Sequence, residues 1–228
     1  MAKVSKHHKS PETQLKIEGV SLDGLSLREF DKVVFEHYGL ICGIDEAGRG
    51  PIAGPVFAAA VILDPNNPIE GLNDSKKLTP KKREALFEEI WDKCIAASVA
   101  CSFASEIDET DILSSDLLAM DRAFSGITDM PKIILVDGDV LPEIHFDDGV
   151  IKNVIGGDAK SESIAAASIL AKVERDGEMC RLAEKYPGYG FEKHKGYGTK
   201  AHYEAIEKLG LCPIHRRTFL KKYIKDNE

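Results

Sequence analysis

Several features that would classify this chain at a glance are missing from it. No run of about 18 or more apolar residues occurs anywhere in its 228 positions, so no transmembrane helix and no membrane role are expected. Residues 1–12 are polar and basic, with His7 and His8, and lack the apolar core of a signal peptide; they read as a tail. Cysteine is sparse and odd in number: Cys42, Cys94, Cys101, Cys180 and Cys212 are scattered, with no C-x-x-C pair. That argues against a zinc knuckle or a dithiol redox motif and for a reducing, cytoplasmic location. Positive charge is not in excess either. Lys and Arg number 30 against 38 Asp and Glu, a net charge of −8, whereas nucleic-acid binders usually carry a basic footprint. Net charge says little, however, when the two signs sit apart. Glu84, Glu88 and Glu89 fall in a surface-type helix, while the closing stretch is locally basic: Lys193, Lys195, Lys200, Arg216, Arg217, Lys221, Lys222 and Lys225. The balance neither establishes nor excludes a nucleic-acid partner. No internal repeat and no low-complexity segment is present.

What is present suits one domain, or one domain with a small appendage, large enough to bury a core without disulfides or structural zinc. In residues 13–38 the apolar residues Leu25, Leu27, Phe30, Val33, Val34 and Phe35 have weak helical spacing, with Ser26 as N-cap and Gly39 as stop. Residues 1–39 read as an N-terminal extension, partly helical, ahead of a main domain at 40–228. Leu40–Ile44 is a short apolar run expected to be a buried strand, and Val56–Leu63 a second. Thr79-Pro80 opens a helix running through Trp91, because Thr caps well and Pro fits the first helical position. Ile95–Ala104 is read as a third strand, Asp111–Phe124 as a helix and Lys132–Val136 as a compact apolar strand. Ser161–Lys185 is the strongest helix, with Ile164, Ile169, Leu170, Val173, Met179 and Leu182 as its apolar face. Lys200–Leu209 is a short helix ended by Gly210. Strands first and alternating helices later point to an α/β fold, a mixed sheet with helices packed on it.

The acids stand out against that frame. Asp45 and Glu46 directly follow one expected strand and Asp137 directly follows another, where residues are held rigidly yet reach solvent. Asp158 precedes the long helix, whose free N–H groups favour a carboxylate. Carboxylates converging on one point repel one another and need cations. An oxygen-only set suits Mg²⁺ or Mn²⁺. Two such ions, about 4 Å apart, can clamp the attacking water and the leaving oxygen of a phosphodiester. Strand-end Asp residues are also common turn formers and caps. Asp139, Asp147, Asp148 and Asp176 compete for the role, and spacing alone does not choose.

Longer motifs carry more information. Asp45-Glu46-Ala47-Gly48-Arg49-Gly50-Pro51 is followed by Ala53-Gly54-Pro55-Val56, Leu72-Asn73-Asp74-Ser75-Lys76-Lys77-Leu78, Val136-Asp137-Gly138, Gly157-Asp158-Ala159-Lys160-Ser161 and Ile164–Val173. Then come Lys195-Gly196-Tyr197-Gly198-Thr199 and His215-Arg216-Arg217. This ordered set, spanning about residues 40–220, resembles type 2 ribonuclease H (ribonuclease HII).

The resemblance implies a ribonuclease H-like mixed sheet flanked by helices, with a small helical C-terminal part. It implies hydrolysis of the RNA strand of RNA–DNA hybrids and incision 5′ to single ribonucleotides embedded in DNA, leaving 5′-phosphate and 3′-hydroxyl ends. It selects Asp45, Glu46, Asp137 and Asp158 as the quartet for Mg²⁺ or Mn²⁺. Gly48-Arg49-Gly50 fits 2′-hydroxyl recognition, since glycines let the backbone approach a ribose closely. Tyr197 resembles the family's junction-sensing tyrosine, an aromatic able to pack on a sugar or base. Lys76 and Lys77 are candidate phosphate contacts; Lys160, Lys195, Arg216 and Arg217 are weaker ones. His215 reads as structural, and His194 and His202 carry no assigned role. A monomer is the default for this resemblance, and a replication-clamp partner for residues 1–39 stays open. Type 3 ribonuclease H, a Mg²⁺ phosphatase and a non-catalytic hybrid-binding protein are the competing readings. Arg49 and the short N-terminal stretch disfavour the type 3 enzyme, and intact carboxylates disfavour a pure binder.

Overall fold

The computed structural model describes residues 13–147, 149–221 and 223. The expected tail at 1–12, the competing acid Asp148 and the basic residues Lys222 and Lys225 lie outside them.

Five strands form one sheet: β1 (Ile41–Ala47), β2 (Val56–Ile62), β3 (Ala96–Ser102), β4 (Ile133–Asp137) and β5 (Val150–Val154), in the spatial order β3-β2-β1-β4-β5. The pairs β1/β2 and β2/β3 are antiparallel, while β1/β4 and β4/β5 are parallel, so the sheet is mixed as expected. The helices are α1 (Leu27–Tyr38), α2 (Pro80–Lys93), α3 (Ala104–Glu109), α4 (Ile112–Ser125), α5 (Glu162–Lys185), α6 (Phe191–His194) and α7 (Lys200–Leu209). Both faces of the sheet are covered, which is why β2 reads as one unbroken apolar run. On one face Cys42, Ile44, Ala58, Ala60, Ile134 and Val136 meet α4 residues such as Leu117 and Met120. On the other, Ala59 and Val61 meet Ala166, Ala167, Ile169 and Leu170 of α5 and Leu86 and Ile90 of α2. Gly43 lets α5 lie close on β1: a Cβ there would collide with the backbone of Ser163 and Ile164.

Local chemistry sets the helix ends where the sequence placed them. Ser26 and Glu29 form a capping box on α1, and the Gly39 N–H donates to the Phe35 carbonyl at 2.8 Å. Thr79 caps α2 with Pro80 in first position, Asp111 caps α4, Ser161 caps α5 and Thr199 caps α7. Three elements were not anticipated: β5, α3 and α6. Residues 13–39 are built into the main core. Thr13 and Leu15 exchange backbone hydrogen bonds with Asn153 of the edge strand β5. Leu15, Ile17, Phe30 and Val34 pack with Ile41, Ile133, Leu135 and Ile164.

Candidate metal centre and nucleic-acid interface

One strand assignment needs correction. Asp45 and Glu46 do not follow β1; they lie inside it, because β2 keeps pairing past Ile44, with Asp45 opposite Ala59 and Glu46 opposite Ala58. Alternation along the strand then sends the two side chains to opposite faces. Asp45 goes to the α5 side, where Ser168 hydrogen-bonds it, and Glu46 to the α4 side, where its charge adds to burial in raising the carboxyl of Asp116. Asp137 is the last residue of β4, in the neighbouring parallel strand, and its Oδ1 accepts from the Gly157 N–H at 2.6 Å.

The result is a carboxylate cluster at one end of the sheet. One ligand oxygen each from Asp45, Glu46 and Asp137 lie within 4.8 Å of one another. Asp45 is only 4% exposed. Burial, then the charges of Glu46 and Asp137, push its carboxyl well above the usual range. Burial also raises Glu46, with Arg49 opposing and Asp137 adding. Three mutually repelling carboxylates held by a rigid sheet, with oxygen donors alone, fit a hard divalent cation. Asp158 lies in the turn Gly157–Ala159, outside this tight trio. Its carboxyl is raised by burial and by Asp137 and Asp74, while Lys76 Nζ stands 3.7 Å from its Oδ2 and opposes the rise.

Among the competing acids, Asp176 is tied to Lys172 at 2.8 Å on α5, and Asp139 and Asp147 are exposed. Lys76 faces the cluster. Burial pulls its ammonium down, yet Asp158, Asp45, Asp74 and Glu46 together lift it above its ordinary value. Lys77 instead pairs with Asp74 at 3.8 Å.

The loop after β1 is held from beneath by two buried arginines. Arg216, read from sequence as a weak phosphate contact, is fully buried and corrects that expectation. Its guanidinium donates to the carbonyls of Gly48, Arg49, Pro51 and Gly54 at 2.7, 2.9, 2.8 and 2.9 Å. Burial, then the nearby Arg175, pulls its pKa down to about 9. Arg175, unnoticed in the sequence, donates to the Pro55 carbonyl at 3.1 Å and to the Lys195 carbonyl at 3.0 Å. It thereby ties the Gly48–Pro55 loop to the Lys195–Tyr197 turn. The Ile52 and Ala53 N–H groups donate to Gly196. Gly196 has φ 84°, and a Cβ there would strike the Ala53 carbonyl. Tyr197 is consequently presented at 46% exposure, beside Gly50. Lys160 and Lys195 turn to the Ile155 carbonyl and the Cys180 thiol, and the Arg217 N–H donates to Asp108. His202 and His215 are buried with ring nitrogens meeting at 3.1 Å, the half-buried His194 stacks on His202, and burial pulls His202 down to about 4.

A mixed sheet with carboxylates of adjacent strands converging at one end, next to a backbone-rich loop and an exposed tyrosine, defines a metal-dependent nuclease of ribonuclease H-like fold. The family model for ribonuclease HII matches residues 42–222. A ribonuclease HII of Caldicellulosiruptor bescii is 54% identical over 194 residues, 85% of this chain and 93% of its own length. The crystal structure of ribonuclease H2 from Pyrococcus horikoshii superposes with a TM-score of 0.66 at 33% identity, covering 78% of this chain and 93% of that one. A PCNA:RNase HII complex from Archaeoglobus fulgidus gives a TM-score of 0.60 at 28% identity, covering 78% and 93%. The chain belongs to the ribonuclease HII family, metal-dependent endoribonucleases that act on RNA–DNA hybrids. That membership disposes of the type 3, phosphatase and pure-binder readings.

Proposed function

We propose that this protein incises DNA 5′ to single embedded ribonucleotides and cuts the RNA strand of longer hybrids, leaving 5′-phosphate and 3′-hydroxyl ends. The observation that carries the proposal is the trio Asp45, Glu46 and Asp137, with ligand oxygens within 4.8 Å, set beside Gly48-Arg49-Gly50 and Tyr197. Asp45, Glu46, Asp137 and Asp158 are the residues that would hold Mg²⁺ or Mn²⁺. When bound, such ions supply the charge that activates an attacking water and neutralises the departing oxygen. The chain's own residues do the selecting. Arg216 occupies the carbonyls of the Gly48–Gly50 loop from below, so its upper face is free to meet a ribose 2′-hydroxyl. Tyr197 packs against the sugar at the junction. Lys76 and Lys77 approach the strand's phosphates as point charges.

We further assign residues 1–39 as an extension on a catalytic unit at 40–228, acting as a cytoplasmic monomer. The five cysteines are free, and no described helix is long and apolar enough to cross a membrane. A sliding clamp is a candidate partner, since the Archaeoglobus fulgidus protein was captured with PCNA. The test is a DNA duplex with one ribonucleotide, incubated with Mg²⁺ or Mn²⁺ and, separately, with chelator. One incision 5′ to the ribonucleotide, lost on chelation and in Asp137→Asn, is expected. Binding without incision refutes the reading.

A further inference from the structure

Asp116 has no place in the machinery described so far, yet it lies against it. It sits in the first turns of α4, on the face that otherwise buries Leu117, Ala119, Met120 and Ala123, and is 1% exposed. An apolar residue would serve packing there at no electrostatic cost. A buried carboxylate is expensive unless a cation compensates it. One of its oxygens, Oδ1, finds no hydrogen-bond partner among the described residues, and the other, Oδ2, lies 3.5 Å from Arg49 Nε. Arg49 also reaches Glu46 Oε1 with Nη1, at 3.8 Å, and its side chain is 47% exposed. The guanidinium therefore faces a carboxylate on each of two edges at ion-pair distance, and Nη2 has no partner among the described residues. The planar fork of arginine suits a phosphate bidentately once its direction is fixed.

We propose that Asp116 is a positioning residue that holds the Arg49 guanidinium across the mouth of the Gly48–Gly50 loop, aimed at a phosphate of the ribonucleotide-bearing strand. The proposal rests on the ribonuclease reading above. Without the Asp116 carboxyl, Glu46 is the remaining carboxylate near Arg49. The guanidinium then folds down onto a residue assigned to the metal and leaves the strand. Arg216, which bonds the Arg49 carbonyl, fixes the backbone but not this side chain. The side-chain direction is left to the Glu46–Asp116 pair.

The experiment is a double-mutant cycle in steady-state kinetics on the single-ribonucleotide duplex, using wild type, Asp116→Asn, Arg49→Ala and the double variant. Asp116→Asn is expected to raise KM about five- to tenfold with kcat within about twofold, and to add less than about twofold in the Arg49→Ala background. Its thermal midpoint should stay level or rise, because a buried carboxyl that burial and Glu46 already lift well above the usual range is replaced by a neutral amide. Asp116→Leu, matched to the apolar face of α4, should show the same KM rise if the asparagine variant folds poorly. An unchanged KM, losses that multiply in full across the cycle, or collapse of the fold in both variants overturns the proposal. A wild-type protein that leaves the duplex intact overturns the ribonuclease reading itself, before any variant is compared.

Discussion

The carboxylate trio makes a prediction about stability that runs against its role in activity. With ligand oxygens at up to 4.8 Å and an effective dielectric of about 20, each like-charge pair costs about 3.5 kcal/mol. Three ionised carboxylates would cost about 10 kcal/mol, comparable to the whole stability of a typical domain, about 5–15 kcal/mol. Without metal the cluster therefore resists full ionisation, in line with the raised carboxyls of Asp45 and Glu46. An acid whose pKa is raised on folding binds more protons folded than unfolded. Stability then falls as pH climbs from the unfolded range, about 4, toward the higher folded value. Asp45→Asn removes two of the three repulsions while its Oδ1 can still accept from the Glu46 N–H, now at 2.7 Å. Glu46 and Asp137 are only partly buried, so solvent screens part of the repulsion. The expected gain in chelator near pH 8 is about 2 kcal/mol. Urea unfolding followed by circular dichroism should show the variant more stable there and the gap closing toward about pH 4. Saturating Mg²⁺ should reverse the order, because wild type gains more from binding. A metal-free Asp45→Asn protein no more stable than wild type at pH 8 would refute the electrostatic account, whatever its activity.

Further outcomes follow from the same geometry. Tyr197→Phe and Tyr197→Ala should lower cleavage at single ribonucleotides at least about tenfold more than on long hybrids, compared by kcat/KM on the two substrates; equal losses would count against junction sensing. Arg216→Lys keeps a charge but cannot serve four carbonyls of one loop. It should cost about 3 kcal/mol and depress incision more than 10-fold, read by urea midpoint and by the duplex assay; a near-wild-type variant would mean the carbonyls are served otherwise. Gly43→Ala drives a Cβ into the α5 backbone at Ser163 and should cost about 2–3 kcal/mol; a loss under about 0.5 kcal/mol would show that α5 can retreat from β1.

How much of this was legible in the sequence depends on how local the cause is. Helix ends were, because Ser26, Thr79, Asp111, Ser161 and Thr199 act on N–H groups two or three residues away. The extent of β1 was not: Asp45 and Glu46 look like residues beyond a strand, and only pairing with Ala58 and Ala59 makes them part of it. The edge strand β5 escaped because Val150-Ile151-Lys152-Asn153-Val154 is short and half polar, and its partners come from β4 and from Thr13–Leu15. Asp176 was separable in principle, since Lys172 four residues earlier on one helix is a visible partner.

The buried charges mark the deeper limit. Nothing local distinguishes Arg216, which is inaccessible, from Arg217 beside it, or Asp116 in an apolar helix face from a solvated acid. The partners cited for them lie far away in sequence, from about 70 to about 170 residues distant. On the proposed reading these same residues connect the fold to its selectivity. The sheet and α5 fix the clustered acids Asp45, Glu46 and Asp137 at one end of the fold. On the reading proposed above, the choice of a ribonucleotide falls to the neighbouring loop, whose carbonyls Arg216 and Arg175 hold and whose Arg49 side chain lies against Asp116. A sequence motif can therefore name the loop, but its geometry is decided by buried ions that the motif does not contain.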